Sequence, residues 1–555
     1  MKFQNSILYF LILFSFSIYA QNMEIYTRPW EGEIENSKTF NLKVEIESLG
    51  LQDAAFKISN NHSIINYPFK RKNNAQINIP FAENLFFEGT IAANGKEING
   101  FIKSGLLLYH LKLTKLKDNS FVGVWNLLMV DELKSQKIFL SIENGSNNDY
   151  EAYPIFGDNR FTGTWCNNFQ KTNNKISFSD VKTGLQFKAE LLGNNIQLGI
   201  FLGSHSITQI NLIKSKTDWH IGGFDSYNKN SILQLSKMEG LISNDSLPNT
   251  HSVLISRRGK LVYEKYFDGY NANIPHDMRS ASKSISSAIV GIVKDKSLFK
   301  NVEQSIFDFL PAKYQTQKDR LKEKINIQSL LTMSSGLDAI DYGINANPES
   351  PAVEDNYQMS DDWIAAVLSA PMINNPNSKS NYGSANPYLL GIAMDSLVSE
   401  PLELFMDKNL FQKLDISNYI IQTDLYGNPY FGGGMYLSSK DMLKFGELYL
   451  NKGKWDSKRI ISEEWAKSSF KNYRVLENTK DKNGYGYLWW HNTYQVYGKS
   501  IEAIEARGAG GQYIFVIPCL KTVVVITSGN YRNGKTQQPE SIFEKYILPY
   551  LEYKS

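Results

Sequence analysis

Alternating apolar and polar residues dominate the first two fifths of the chain. Residues 40–46 and 107–113 each alternate with a period of two, which predicts half-buried β-strands. Turn-forming pairs such as Asn94-Gly95 separate these runs. No long helical period occurs before residue 215. The pattern therefore predicts an all-β domain over residues 23–215.

This β region also repeats itself. The segments 86–91, 98–100 and 111–115 match the later segments 187–191, 197–199 and 210–214 in order and in character. Two such antiparallel units would bury one face of each copy against the other, as a barrel or as a sandwich. Because the region contains no catalytic constellation, we expect it to have a binding or accessory role.

A second, larger domain follows a change in composition. Residues 216–235 are polar and contain glycine, which indicates a linker. Beyond it, the apolar runs 253–256 and 261–264 flank a polar, glycine-containing turn and predict a β-hairpin. Helical and strand patterns then mix to the end of the chain. The second domain is therefore predicted to cover residues 236–555.

The amino terminus has the order of a secretory signal. Met1 and Lys2 precede an apolar run over residues 7–14, and the small residue Ala20 ends the segment. The run is shorter than the roughly 20 apolar residues that a membrane-spanning helix needs. We therefore expect a signal peptide over residues 1–20 with cleavage after Ala20, and a periplasmic or secreted protein. No later stretch is apolar enough to predict an integral membrane span.

Composition excludes several classes of function. Of 555 residues, 42% are hydrophobic and 21% are charged, which is ordinary for a globular protein. A net charge of +3 provides no basic stripe, so nucleic acid is not an expected partner. The two cysteines, Cys166 and Cys519, are too few for a disulfide scaffold and are expected to be buried free thiols. The seven histidines lack ligand spacing, so no metal or other cofactor is expected.

A candidate nucleophile lies at the start of a predicted helix. The apolar residues at spacings i, i+3, i+4 and i+7 are Ile285, Ala288, Ile289 and Ile292. Ser280 therefore lies at the start of a buried helix, and Lys283 follows one turn later on the same face. A serine hydroxyl needs a nearby base, and a lysine can serve when burial lowers its pKa. The helix N-terminus would also favour a developing oxyanion beside Ser280.

The Ser-x-x-Lys spacing alone is not specific, and two later segments strengthen it. The other matches are Ser179–Lys182, Ser226–Lys229, Ser297–Lys300 and Ser468–Lys471. Tyr382 lies between small and polar residues just before an apolar helix, where its hydroxyl can reach a site. The segment 507–512 is rich in glycine and opens an apolar strand, so a substrate backbone can approach closely there.

Taken in this order, the three motifs resemble those of the serine β-lactamase and penicillin-binding-protein superfamily. The closer resemblance is to its class C-like branch, which includes family VIII esterases and 6-aminohexanoate-dimer hydrolases. Segments 330–337, 432–437 and 485–490 support it, and it covers residues 235–550. It implies an α+β fold in which an antiparallel sheet flanked by helices joins a helical subdomain, with Ser280 at the junction.

The resemblance also implies a role for each matched residue. Ser280 would be the acylated nucleophile. Lys283 and Tyr382 would share the proton transfers, and the residues leave open which of them is the base. The backbone N–H groups of Ser280 and Gln512 would form the oxyanion hole.

The substrate-binding side departs from that of β-lactamases. Ser384 stands where class C enzymes have asparagine, and would hydrogen-bond near the lysine or the substrate. The Lys-Thr-Gly motif falls on Ala509, Gly510 and Gly511, so a cation suited to a β-lactam carboxylate is missing there. Arg507 is close in sequence, but its direction does not follow from the pattern. We therefore do not expect efficient β-lactamase activity.

These observations predict an exported serine hydrolase that cleaves a small-molecule ester, amide or peptide through an acyl-enzyme. No Gly-x-Ser-x-Gly segment occurs, which argues against an α/β-hydrolase triad. One alternative is a D-amino-acid peptidase or carboxypeptidase that acts on peptidoglycan. Another is a non-catalytic protein of the same fold that binds cell wall or glycan.

Overall fold

The structure is a computed structural model that describes residues 23, 26–27, 29–47, 54–60, 64–69, 76–82, 85–116, 120–132, 136–144, 150–157, 166–215 and 235–553. The predicted signal peptide and residues 216–234 of the predicted linker lie outside these residues. The chain divides into two compact units, Met1–Ile221 and Gly222–Ser555. Within the described ranges, none of the helices has both the length and the apolar character that a membrane crossing requires.

The described part of the first unit is built from antiparallel β-strands, which confirms the predicted all-β fold. The strands are β1 Pro29–Glu33, β2 Asn41–Glu47, β3 Ala54–Ser59, β4 Ile64–Phe69, β5 Gln76–Ala82, β6 Leu85–Ile91, β7 Glu97–Ser104, β8 Leu107–Lys115, β9 Phe121–Asn126, β10 Lys137–Asn144, β11 Tyr150–Phe156, β12 Cys166–Thr172, β13 Lys175–Asp180, β14 Leu185–Leu191, β15 Asn195–Leu202 and β16 His205–Lys214. One sheet has the order β11-β10-β1-β16-β15-β14-β13-β12. The other runs β5-β6-β7-β8-β9-β2-β3-β4 within this unit.

The two repeated segments fold alike. Each forms three consecutive antiparallel strands, β6-β7-β8 in one sheet and β14-β15-β16 in the other. The sheets meet where two turns touch: Gly105 and Gly184 have φ values of 61° and 73°, and a Cβ added to either would lie 2.3 Å from the backbone nitrogen of the other. The N–H of Leu106 donates to the carbonyl of Lys182 across this contact at 2.9 Å.

The second unit contains an eight-stranded antiparallel sheet in the order β18-β17-β29-β28-β27-β26-β25-β24. The strands of this unit are β17 Thr250–Arg257, β18 Lys260–Tyr266, β19 Pro275–Asp277, β20 Ile420–Gln422, β21 Met435–Ser438, β22 Lys454–Trp455, β23 Lys458–Arg459, β24 Arg474–Val475, β25 Gly484–Tyr485, β26 Trp490–Val496, β27 Lys499–Gly508, β28 Gln512–Ile517 and β29 Thr522–Ser528. β17 and β18 pair through Ser256 and Leu261, so the predicted hairpin is confirmed.

Helices cover both faces of this sheet, as the predicted fold requires. They are α1 Ser236–Ser243, α2 Lys283–Asp295, α3 Ile327–Leu331, α4 Glu354–Gln358, α5 Trp363–Ser369, α6 Ala385–Leu397, α7 Leu402–Met406, α8 Ser439–Leu450, α9 Glu463–Ser469, α10 Gln538–Ile542 and α11 Leu548–Tyr553. The first and last helices share one core with the sheet, where Met238 and Leu548 pack with Phe515. Helix α8 covers the other face, and Gly446 lies so close to the sheet that an added Cβ would be 2.5 Å from Val523.

The cysteines depart from expectation in one respect. Both are free, and Cys166 in β12 is partly buried. Cys519 was expected to be buried, and this was wrong: it lies exposed in the short 3-10 turn Pro518–Leu520 that joins β28 to β29. A connecting turn runs over the surface because its backbone groups need water, which an apolar sequence context does not reveal.

Candidate active site

Ser280 lies in a 3-10 turn, Arg279–Ser282, that runs directly into α2. The α-helix therefore begins at Lys283, slightly later than the sequence pattern suggested. Arg279 has a φ of 48°, a conformation that residues other than glycine seldom adopt. Asp277 holds it in place, because its Oδ1 accepts the Arg279 N–H at 3.0 Å and its Oδ2 pairs with Nε at 3.0 Å. Ser280 is half-buried, so a small molecule can reach it.

Lys283 is buried directly behind the serine. Its Nζ lies 2.7 Å from Oγ of Ser280, 3.1 Å from Oγ of Ser384 and 2.5 Å from the carbonyl oxygen of Gly432. Only 1% of the residue is exposed. Burial lowers the pKa of the ammonium group, and the negative charges of nearby carboxylates oppose this only in part. The neutral amine is therefore accessible, which a base for Ser280 requires.

Tyr382 also contacts Ser280. Its phenol is buried and hydrogen-bonds with Ser280. Burial raises the pKa of this phenol, while the hydrogen bond with Ser280 and the charge of Arg507 act in the opposite direction. The Nζ of Lys283 lies 5.1 Å from the centre of the tyrosine ring. The structure thus brings Ser280, Lys283 and Tyr382 together, with the tyrosine as a neutral phenol at neutral pH.

Asn478 fixes the backbone that carries Tyr382. Its Oδ1 accepts the Tyr382 N–H at 2.7 Å, and its Nδ2 donates to the Tyr382 carbonyl at 3.3 Å and to the Tyr342 carbonyl at 2.9 Å. The ring of Trp490 packs against the tyrosine with its centre 5.0 Å away. Asn478 was not found from the sequence, because 96 residues separate it from the tyrosine and no motif marks it.

The glycine-rich segment lies beside the nucleophile turn. β27 ends at Gly508, where an added Cβ would be 2.1 Å from the carbonyl oxygen of Met278, two residues before Ser280. Gly508 pairs with Gln512, the first residue of β28. The two segments predicted to supply the oxyanion hole are therefore neighbours. That the N–H groups of Ser280 and Gln512 act together on an oxyanion stays a prediction.

Gly510 and Gly511 form the turn between these strands, with φ values of 78° and 90°. An added Cβ would lie 2.3 Å from the Tyr531 ring at the first position and 2.1 Å from Oγ of Ser528 at the second. Ser528 Oγ also donates to the carbonyl of Gly510 at 2.6 Å. The protein itself therefore requires glycine at both positions, whatever role they have toward a substrate.

The side chain of Arg507 forms ion pairs with two neighbouring carboxylates. Its Nε lies 2.6 Å from Oε2 of Glu505, and its Nη1 lies 3.3 Å from Oε1 of Glu540. The guanidinium group stacks 4.8 Å from the centre of the Trp490 ring. Only 10% of the side chain is exposed. Its charge is thus balanced within the protein, and the cation missing from the Lys-Thr-Gly position is not replaced by an unpaired arginine.

Ser384 connects the lysine to two carboxylates that the sequence analysis did not identify. Its Oγ lies 2.7 Å from Oδ2 of Asp341 and 3.1 Å from Oε2 of Glu354. Burial, with the nearby charge of Glu354, raises the pKa of Asp341 to about 6. Tyr430 donates its hydroxyl to Glu354 at 2.5 Å. Among the described residues, no group of three or more His, Cys, Asp or Glu side chains is arranged to hold a metal ion.

The loop that carries Tyr382 and Ser384 has no room for a larger residue between them. A Cβ added to Gly383 would lie 1.7 Å from the carbonyl oxygen of Ala339. Since a displacement of about 1 Å at a catalytic group can lower a rate 100-fold, Gly383→Ala should lower kcat by about that factor in ester hydrolysis assays. Overpacking should also reduce the free energy of unfolding by about 1–3 kcal/mol in urea titrations.

Gly240 provides the matched control for this substitution. It lies in α1, and an added Cβ would have no neighbour within 4 Å. Gly240→Ala should leave kcat unchanged and stabilise the helix by roughly 0.5–1 kcal/mol. Full activity in Gly383→Ala would show that the loop adjusts without moving the two side chains.

Taken together, the half-buried serine, the buried lysine at 2.7 Å and the neutral tyrosine define a serine hydrolase site of the Ser-Lys-Tyr type. The sequence model of the family described as Beta-lactamase matches residues 249–542, which is more than half of the chain. The chain therefore belongs to the beta-lactamase family, whose members are serine hydrolases.

Solved structures also match slightly more than half of the chain. The hydrolase EstCE1 is 16% identical, with 56% of this chain and 99% of the other covered and a TM-score of 0.46. A family VIII carboxylesterase is 12% identical, with coverages of 56% and 96% and a TM-score of 0.44. A D-stereospecific amidohydrolase from Streptomyces is 13% identical, with coverages of 54% and 94% and a TM-score of 0.42.

Proposed function

We propose that this protein is an exported hydrolase that cleaves an ester or amide bond through an acyl-enzyme on Ser280. The observation that carries the proposal is the 2.7 Å contact between Lys283 Nζ and Ser280 Oγ in a buried setting that lowers the pKa of the lysine. In the first step Oγ bonds to the carbonyl carbon, and the alcohol or amine leaves with a proton. In the second step water replaces the serine and releases the acid.

Lys283 is the group that we propose takes the proton from Ser280. Burial acts in opposite directions on the two candidates, because it disfavours the ammonium form of lysine and the phenolate form of Tyr382. Burial therefore favours the neutral amine of Lys283, which is the form that can act as the base. The neutral phenol is suited to give its proton to the leaving group and to recover it from the lysine.

The substrate is proposed to be an acyl compound without a carboxylate beside the scissile bond. Arg507, the nearest cation to the glycine-rich strand in sequence, is paired with Glu505 and Glu540. An esterase or amidase is therefore favoured over an efficient β-lactamase. The sequence signal at residues 1–20 supports action outside the cytoplasm, with export as part of the proposal.

Covalent labelling tests the proposal. Purified protein is treated with a fluorophosphonate probe, and the intact mass is measured for the wild type and for Ser280→Ala. One adduct is expected on the wild type and none on the variant. Short-chain esters, D-peptides and β-lactams would then be compared as substrates, and release of terminal D-alanine from a stem peptide would indicate a peptidase instead.

Ser468→Ala provides the control, because Ser468 in α9 and Lys471, just after that helix, have the same sequence spacing, but Lys471 is exposed. This variant should label like the wild type. If the folded wild type fails to label with two acylating or phosphonylating reagents of different shape, the hydrolase proposal is wrong. A binding role on the same fold would then be the better interpretation.

A further inference from the structure

Two half-buried carboxylates lie next to Lys283, and neither forms a direct contact with it. Asp341 and Glu354 both contact Oγ of Ser384, which is itself 3.1 Å from Lys283 Nζ. The carboxylates are also tied to each other, since the Glu354 backbone N–H donates to Oδ1 of Asp341 at 3.1 Å. The proposed mechanism does not otherwise use them.

The neighbours of Lys283 determine where its N–H groups and its lone pair point. The carbonyl oxygen of Gly432 can only accept, so it takes one N–H of Lys283. The hydroxyl hydrogen of Ser384 points to a carboxylate, so this oxygen must accept a second N–H from the lysine. A neutral amine has two N–H groups and one lone pair. The lone pair is therefore left for the third neighbour, the hydroxyl of Ser280.

We propose that Asp341 and Glu354 are positioning residues that hold the Ser384 hydroxyl as an acceptor, so that the lone pair of Lys283 faces Ser280. Asp341 contributes most, because its Oδ2 accepts both the Ser384 hydroxyl and the Ser384 backbone N–H at 2.7 Å. Glu354 is the second acceptor for the same hydroxyl through Oε2, and Tyr430 donates its hydroxyl to the other oxygen, Oε1. This inference rests on the proposed function of Ser280 and Lys283.

The arrangement also links activity to pH. If Asp341 takes up a proton, it can donate to Ser384, whose own hydrogen is then free to turn toward the lysine lone pair and block it. The other titratable groups that influence or are influenced by Asp341 come from several segments around it: Glu354, Lys283, Tyr342, Tyr357, Tyr382 and Tyr430. Of these, Lys283 matters most, because the carboxylates favour its ammonium form.

The rate of fluorophosphonate labelling, measured from pH 4 to pH 9 on the full chain, separates positioning from packing. In this reaction the Ser280 oxygen bonds to phosphorus, fluoride leaves, and the serine proton passes to Lys283. Fluoride needs no proton from Tyr382, so the rate reports the base step alone. Asp341→Asn should lower the plateau rate about 10- to 100-fold, the scale of a small misplacement.

The decisive result is the position of the acidic limb, which is the pH range over which the labelling rate falls as the solution becomes more acidic. In Asp341→Asn the group that titrates near pH 6 is gone, and the pKa of Lys283 falls because a supporting negative charge is lost. Both effects move the limb to lower pH. A lower plateau with an unmoved limb would mean that Asp341 only maintains the fold, and would overturn the inference, as would an unchanged rate.

Two further variants complete the test. Asp355→Asn removes the same charge from an exposed position in α4 and should leave the profile unchanged. Glu354→Gln should move the limb in the same direction as Asp341→Asn, and it carries the test if the aspartate variant does not fold by urea titration. If the wild type itself does not label, the proposed function fails. Labelling of the wild type with unshifted variants refutes only the role of the two carboxylates.

Discussion

Replacement of Lys283 by methionine is expected to lower the rate of acylation by roughly 10³- to 10⁴-fold, the upper range for loss of a general base. Methionine is unbranched and of similar length, so it fills the same space but cannot take the proton of Ser280. The measurement is the single-turnover rate of acyl-enzyme formation with an activated ester. Lys471→Met, from the exposed Ser-x-x-Lys match, should retain the wild-type rate.

The same substitution should not destabilise the protein. Burial holds the pKa of Lys283 below its ordinary value of 10.5, so the folded state disfavours the ammonium ion that the unfolded chain carries at neutral pH. The resulting free-energy cost of folding is absent above pH 10.5, grows as the pH falls, and is removed in the methionine variant. We expect the free energy of unfolding at pH 7 to rise by about 0.5–2 kcal/mol in urea titrations. Unaltered acylation in this variant would assign the base role to Tyr382.

The residues found from the sequence are those whose relation is local or carried by a motif. Ser280 and Lys283 are three positions apart at a helix start. The hairpin of β17 and β18 is predicted by two adjacent apolar runs. A period of two or 3.6 residues needs only a short window to be seen. Tyr382 is distant from both, and only its place in the motif order predicted that it would join them.

The residues missed from the sequence act across long loops. Ser384 reaches back 43 residues to Asp341 and 30 residues to Glu354, and no periodicity links these positions. Each is an ordinary acidic residue in a polar stretch until the chain folds. The direction of Arg507 was equally hidden, because it depends on the pairing of β27 and on Glu540 in α10. Such contacts follow from tertiary packing and not from local propensity.

Replacement of Arg507 by methionine is expected to reduce the free energy of unfolding by about 3–5 kcal/mol at pH 8, because it leaves the buried carboxylate of Glu505 without its counter-charge. Glu505 is fully buried, and Arg507 is its nearest counter-charge at 2.6 Å. The substitution also removes the stack on Trp490, which packs against Tyr382, so kcat should fall as well. Arg320→Met, at an exposed position, should change stability by less than about 0.5 kcal/mol.

The pH dependence of this loss distinguishes the charge from the lost packing. Burial raises the pKa of Glu505 to about 7, and Arg507 opposes the shift, so without the arginine this pKa should rise further. A pKa that is raised in the folded state stabilises the fold at low pH. This stabilisation is fully present below pH 4.5, the ordinary pKa of glutamate, and is lost as the pH rises through the folded-state pKa. At pH 5 the glutamate is neutral in both proteins, and the variant should be only modestly weaker. A loss of equal size at pH 5 and pH 8 would mean that Arg507 stabilises the protein by its packing against Trp490 and not by its charge.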